Sequence, residues 1–314
     1  MAYRFDPEWA DAVARLLRAM ERAPKLAVGD ALGRRAAIDG MMASFGDRRP
    51  VVTDVDVAVH HTQSFDGTQI ELRWYTKHGS TPGSAVLYLH GGGMICGSLD
   101  IYDSLVRNSV SKSGVPMLAV EYRLAPEHPH PAPVEDCFAA LRWLSDHATA
   151  LGVDPQRIAV YGDSAGGGLA AGTALIARDR GVHLARQILV YPMIDDRTEP
   201  DERLVPFLMW TYDDNETGWR ALLGDDYRTD HVSPYAAPSR AVDLAGLAPA
   251  YLEVGELDAF RDEDMDYARR LGLAGVSVEL HVHPGVPHAF EALAPQVAVS
   301  RRSAADRLRA LTSF

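Results

Sequence analysis

Hydrophobic residues change their spacing twice along the chain. Through residues 7–45 they recur at helical intervals: Trp9, Val13, Leu16, Leu17 and Met20 fall on one face, and Pro7 suits a first helical turn. Pro24 interrupts that pattern, which predicts at least two short helices. The period then drops to two, with Val51, Val55, Val57 and Val59 in one segment and Ile70, Leu72 and Trp74 in the next, across an Asp66-Gly67 turn. This predicts an antiparallel pair of strands. From residue 84 onward, short apolar runs alternate with helical stretches: 84–90, 115–122, 157–162, 186–192, 249–255 and 276–283, with a charged helix near 261–272 and a closing helix near 295–312. Short apolar strands interleaved with helices predict an α/β protein whose mostly parallel sheet is covered on both faces. With the opening pair, the sheet has eight strands. Residues 196–248, rich in Asp, Pro, Trp and Tyr, are too many for an ordinary connection and are expected to carry helices of their own. Together with residues 1–50 they are a candidate lid over residues 51–314.

Composition narrows the partners. A chain of 314 residues that is 47% hydrophobic supports a large core, and a formal net charge of -12 disfavours nucleic acid, anionic membranes and polyanionic substrates. Two cysteines, Cys96 and Cys137, are too few for a disulfide framework, and no Cys/His spacing resembles a zinc site. The start of the sequence carries charge where a signal peptide needs an apolar stretch, and no run of about 18 apolar residues could span a bilayer. The expectation is a cytoplasmic protein without stable membrane insertion; a homodimer is left open.

The chemistry begins where the apolar run 84–89 turns into His90-Gly91-Gly92-Gly93-Met94. Glycine lets a peptide N–H come close to a ligand, so three in a row after a strand point to backbone atoms at work. Downstream, Gly162-Asp163-Ser164-Ala165-Gly166 matches G-x-S-x-G between a strand and a helix, the setting of an exposed nucleophilic serine. Attack by Ser164 on a carbonyl would create an oxyanion, and amides of Gly91, Gly92 and Gly93, with that of Ala165, are expected to receive it. A serine hydroxyl needs a base oriented by a carboxylate, in the chain order Ser, acid, His. Asp258 follows the strand at 249–255 and His288 follows the strand at 276–283, both past a strand's C-terminal end. Glu256 sits closer to the strand, Asp262 and Glu263 read as the solvated start of a helix, and His281 and His283 lie within a strand, so Asp258 and His288 are preferred.

These motifs, with Glu121 to Pro133 (EYRLAPEHPHPAP), GELDAFRDE (255–263) and VPHAF (286–290), resemble the hormone-sensitive lipase-like branch of the α/β-hydrolase family, the bacterial carboxylesterases. The resemblance spans roughly residues 70–290. It implies an α/β-hydrolase domain over 51–314, an N-terminal helical cap over 1–50 that covers the active site with help from 196–248, an oxyanion hole from the two motif loops, and no cofactor or metal. Departures are modest: Met94 stands where an aromatic or bulky residue is usual, Ala259-Phe260 replaces Pro-Leu, and Ala289 replaces Gly or Cys.

The loop 121–133 is expected to buttress the glycine loop, with Arg123 and Glu127 fixing it by ion pairing. His90 and Asp163 are expected to shape their loops rather than to titrate in catalysis. Trp210, Tyr212 and Trp219 fit either the core of the lid or an acyl pocket. The function expected is a serine carboxylesterase that takes short- to medium-chain acyl esters by a ping-pong route. The same machinery would serve an amide, lactone or formamide. A non-catalytic small-ligand receptor, as in the plant gibberellin receptors that resemble this branch but have lost the histidine, ranks lower because His288 is present.

Overall fold

The computed structural model describes residues 3–20, 22, 24–46 and 51–314. Two helices open the chain, α1 (Pro7–Met20) and α2 (Ala31–Gly46), and the strands are β1 (Val55–Gln63), β2 (Gln69–Lys77), β3 (Ala85–Leu89), β4 (Met117–Val120), β5 (Ile158–Asp163), β6 (Arg186–Val190), β7 (Ala250–Gly255) and β8 (Val278–His283). Between and after them lie α3 (Leu99–Ser113), α4 (Ala132–His147), α5 (Ala165–Asp179), α6 (Tyr212–Leu223), α7 (Arg261–Leu273), α8 (Phe290–Leu293) and α9 (Ala298–Leu311). The eight strands form one sheet in the order β1-β2-β4-β3-β5-β6-β7-β8. Its first two pairings are antiparallel and the rest parallel.

Strand position decides how each strand is written. β3, β4 and β7 are buried along their whole length, whereas the edge strands β1 and β8 mix buried and exposed positions. Because successive side chains point to opposite faces, the central strands feed two cores at once. Leu87, Leu89, Leu118, Val120 and Val160 pack with α4 and α5 residues such as Leu141 and Leu169. Val86, Tyr88, Met117, Ala119 and Tyr161 pack with α3 and α9 residues such as Val106, Val110 and Leu311. Each fully buried aliphatic side chain of this kind contributes about 1.5–3 kcal/mol.

The parallel strands end on one side, where Ser164, Asp258 and His288 lie. Covering it are α1, α2 and the 196–248 stretch, which holds α6. Arg34 of α2, buried, pairs with Asp214 of α6 at 2.7 Å, and the Gly29 amide donates to Thr217 Oγ1 at 3.0 Å. The ion pairs of the 121–133 loop differ in detail from the sequence expectation. Arg123 binds buried Asp136 at the start of α4 (2.7 Å) and Asp66 in the β1–β2 turn (2.6 Å). Glu127 instead receives Arg35 of α2 at 2.7 Å. The reason is burial: Asp136 is wholly enclosed, and an enclosed carboxylate needs a cation far more than an exposed one does.

Candidate active site

At the end of β5 the backbone makes a turn that only small neighbours allow. Ser164 sits at φ 55°, ψ -121°, and α5 starts at the next residue. A non-glycine residue there stores roughly 1–3 kcal/mol of strain, which the surroundings must hold. They do so through the Ser164 amide, which donates to Val190 O at 2.8 Å, and through its carbonyl, which accepts from Met193 N at 2.9 Å. The flanking glycines are required sterically. A Cβ on Gly162 would lie 2.1 Å from Gly166 O, and one on Gly166 would lie 2.1 Å from Leu89 O and 2.5 Å from His90 O. The elbow is thereby pressed against the start of the glycine loop.

That loop folds back on itself. Gly92 takes φ 125°, and its carbonyl accepts the amides of Ile95 and Cys96. A Cβ on Gly91 would strike the Asp163 carboxylate at 2.6 Å, and one on Gly93 would strike the Trp210 ring at 2.3 Å. Among the described residues, no protein acceptor takes the amides of Gly92, Gly93 or Ala165. His90 lies beneath, stacked between Tyr102 and Tyr122, with Nδ1 2.8 Å from Gly91 O. Burial pushes its pKa down to about 4, so the ring stays neutral and structural. The loop 121–133 supports it as expected: Tyr122 OH donates to His90 O at 2.7 Å and Ala125 N to Met94 O at 2.9 Å. Asp163 accepts from Tyr88 OH at 2.7 Å, and burial pushes its carboxyl up to about 6 against that bond.

His288 and Asp258 arrive from the ends of β8 and β7. Gly255 allows their loops to meet, since a Cβ there would lie 2.3 Å from Val286 O. His288 Nε2 is 2.9 Å from Ser164 Oγ and Nδ1 is 2.8 Å from Asp258 Oδ2, so the three expected residues form one hydrogen-bonded row. Asp258 is fully buried and its other oxygen accepts Phe260 N at 3.0 Å. Glu256 instead fastens the Gly285 amide at 2.8 Å, and Asp262 is exposed beside Arg261. Glu263 corrects the sequence expectation. Its carboxylate is held rather than free in solvent: it caps the amides of Ile194 and Asp195 and meets Thr198, and desolvation pushes its pKa up. The β6–α6 connection folds over that face of α7 and leaves the residue only partly exposed.

Ser164 and His288 open onto a cavity of about 810 Å³. Gly92, Gly93, Asp163 and Tyr191 form part of its inner wall, while Leu16, Met20, Ile38 and Met41 from the N-terminal helices and Leu208, Met209, Trp210 and Tyr212 from the 196–248 stretch also line it. Trp219 is absent from the wall and packs wholly inside. Among the described residues, no group of three or more His, Cys, Asp or Glu gathers as a metal site would require, and no helix is long and apolar enough to cross a membrane.

Sequence reading missed Tyr191, Glu291 and Arg307, which meet beside His288 from three elements. Their positions, 116 residues apart from first to last, carry no local motif.

A sheet of this order, with a serine on the elbow after its fifth strand, defines an α/β hydrolase, and a family model described as alpha/beta hydrolase fold matches residues 86–292. The chain belongs to that family, in its hormone-sensitive lipase-like branch. It is 36% identical over 264 residues to an ethyl acetate hydrolase of Pseudomonas putida, covering 80% of this chain and 79% of that one. It is 38% identical over 259 residues to the carboxylesterase NlhH of Mycobacterium tuberculosis, covering 80% of each. Among solved structures, a bacterial heroin esterase superposes with a TM-score of 0.89 at 40% identity over 98% of this chain and 97% of that one.

Proposed function

We propose that this serine ester hydrolase is a carboxylesterase of short- to medium-chain acyl esters that works through Ser164, His288 and Asp258. The observation that carries the reading is the row Asp258–His288–Ser164, with contacts of 2.8 and 2.9 Å, opening onto the cavity. His288 takes the Ser164 proton as Oγ attacks the ester carbonyl, and Asp258 holds the imidazole in the tautomer that leaves Nε2 free to accept. The oxyanion is received by amides of the Gly91, Gly92 and Gly93 loop and of Ala165, at the positive end of α5. His288 then protonates the departing alcohol, and water repeats the sequence on the acyl-enzyme. Relatives named for ester hydrolysis support the reaction class.

Residues 1–50, with 196–248, act in this reading as a cap that keeps water out and limits the acyl chain. The cavity volume supports it, because about 810 Å³ falls within the ordinary range of small-ligand sites, about 300–1,000 Å³. The test is a panel of p-nitrophenyl esters of two to sixteen carbons with Ser164→Ala as control. A kcat/KM maximum at roughly two to eight carbons, abolished in the variant, is expected. Preference for long chains would remove the enclosed pocket from the account. Matched aryl esters and anilides decide between ester and amide chemistry.

A further inference from the structure

Behind His288 lies a part-buried cluster of charge that the hydrolytic row does not use. Tyr191, just past the end of β6, is held at φ 35°, a left-handed conformation that a bulky residue adopts only under constraint. Its amide donates to Glu253 O at 2.6 Å, its ring sits edge-on to the His288 ring at 4.5 Å, and its hydroxyl donates to Glu291 Oε1 at 2.8 Å. Arg307 of α9 donates to the same Glu291 oxygen at 2.9 Å and also binds Glu253 of β7. Ser303 and Tyr251 complete the shell of Glu253, at 3.1 and 2.6 Å. Tyr191, Glu291 and Arg307 also line the cavity.

We propose that Tyr191, Glu291 and Arg307 are positioning residues for His288, fixing the ring against the serine and balancing the charge beside it. The inference rests on His288 being the base of the hydrolytic reaction. Two physical effects are joined in it. The Tyr191 ring blocks one swing of the imidazole, and its own position is set by the hydroxyl bond to Glu291. Glu291, three residues beyond His288, brings a carboxylate to the base, and Arg307 offsets it. The other groups facing this corner are Asp258 and Ser164 on the ring nitrogens, Tyr161 and Asp163 from β5, Glu253 from β7 and His283 from β8.

The sign of each perturbation follows from Coulomb attraction. Removing the Glu291 charge leaves Arg307 less compensated and disfavours imidazolium, so the acid limb of kcat/KM moves to lower pH. Removing the Arg307 charge does the reverse. A side chain that served only to fill space would move neither limb.

The experiment measures kcat/KM against pH for wild type, Tyr191→Phe, Glu291→Gln, Arg307→Gln and His288→Ala, with thermal melting on each. Glu291→Gln is expected to shift the acid limb down by about half a pH unit or more and Arg307→Gln to shift it up, for charges interacting across a part-buried site. Tyr191→Phe keeps the ring and is expected to lower kcat roughly fivefold at unchanged KM, as the loss of one hydrogen bond worth about 1 kcal/mol implies. If Arg307→Gln fails to fold, Glu291→Gln and Tyr191→Phe carry the test. An unmoved acid limb in folded Glu291→Gln, or unchanged kcat in Tyr191→Phe, overturns the proposal. Activity retained in His288→Ala would overturn the hydrolytic reading instead, so the two failures are distinct.

Discussion

The elbow and the cover meet at one cavity but are built by opposite means. Around Ser164 the fit is between backbone and backbone: Gly162, Gly166 and Gly168 each lie where a Cβ would come within 2.1 Å of a carbonyl oxygen. On the cover, α1, α2 and the 196–248 stretch are fastened by side-chain pairs such as Arg34–Asp214, Arg35–Glu127 and Arg261 with Tyr3 OH. They also leave apolar side chains such as Leu32, Met41 and Val205 partly in solvent. Backbone contact has no slack, whereas side-chain pairs can be re-made. In the reading proposed above, the elbow therefore fixes the reacting atoms and the cover sets which substrate enters.

That contrast can be broken at several points. The largest effect is expected from Asp258→Asn, which keeps shape but favours the wrong imidazole tautomer; the corresponding change costs about 10⁴ in kcat in a serine protease. Asp262→Asn, an exposed neighbour, is expected to stay within about twofold. Steady-state kinetics on one ester reads both, and a reversal of the two would reassign the acid.

Next comes Gly166→Ala. The added methyl meets Leu89 O and His90 O, which are main chain and cannot rotate away. Overpacking of this kind costs about 1–3 kcal/mol or more, visible as a lower melting temperature together with lost activity. A variant of native stability would show that the elbow has slack after all.

Asp163 tests the elbow through pH. Burial raises its folded carboxyl from an ordinary 3.8 to about 6. Between those values the folded protein holds a proton that the unfolded chain releases, so this group's stabilisation is present below about pH 4 and is lost as pH rises to about 6, by at most about 3 kcal/mol. The stability advantage of wild type over Asp163→Asn is therefore expected to shrink from pH 4 to 6. Glu263 and Asp264, also pushed up by burial, act equally in both proteins and cancel.

The smallest effect belongs to the cover. Arg34→Met removes the tie to Asp214 and is expected to raise KM and flatten the chain-length profile, with kcat/KM changed by roughly tenfold. A kcat loss at constant KM would place Arg34 with the elbow instead.

Much of the sheet was legible because its central strands are short apolar runs, and the candidate site because its glycines and serine form contiguous motifs that mark strand ends. The alternation of Val55, Val57 and Val59 foretold the antiparallel edge, and Pro24 foretold the break between α1 and α2. What escaped was burial of charge. Glu263 reads as a solvated helix start in any local window, and only the return of residues 194–198 over α7 shows otherwise. Arg123 choosing Asp136 over Glu127, and Glu291 meeting Arg307 beside Tyr191, likewise depend on which elements the topology brings together.

The central claim is that Ser164 is the nucleophile that His288 activates. It is tested most directly by treating the protein with diethyl p-nitrophenyl phosphate, a reagent that phosphorylates activated serines, and reading the intact mass followed by peptide mapping. The account predicts a single diethylphosphoryl adduct on Ser164 that forms as esterase activity disappears, is absent in Ser164→Ala and forms far more slowly in His288→Ala. Inactivation accompanied by an adduct on another residue, or an adduct of the same rate in Ser164→Ala, would contradict it.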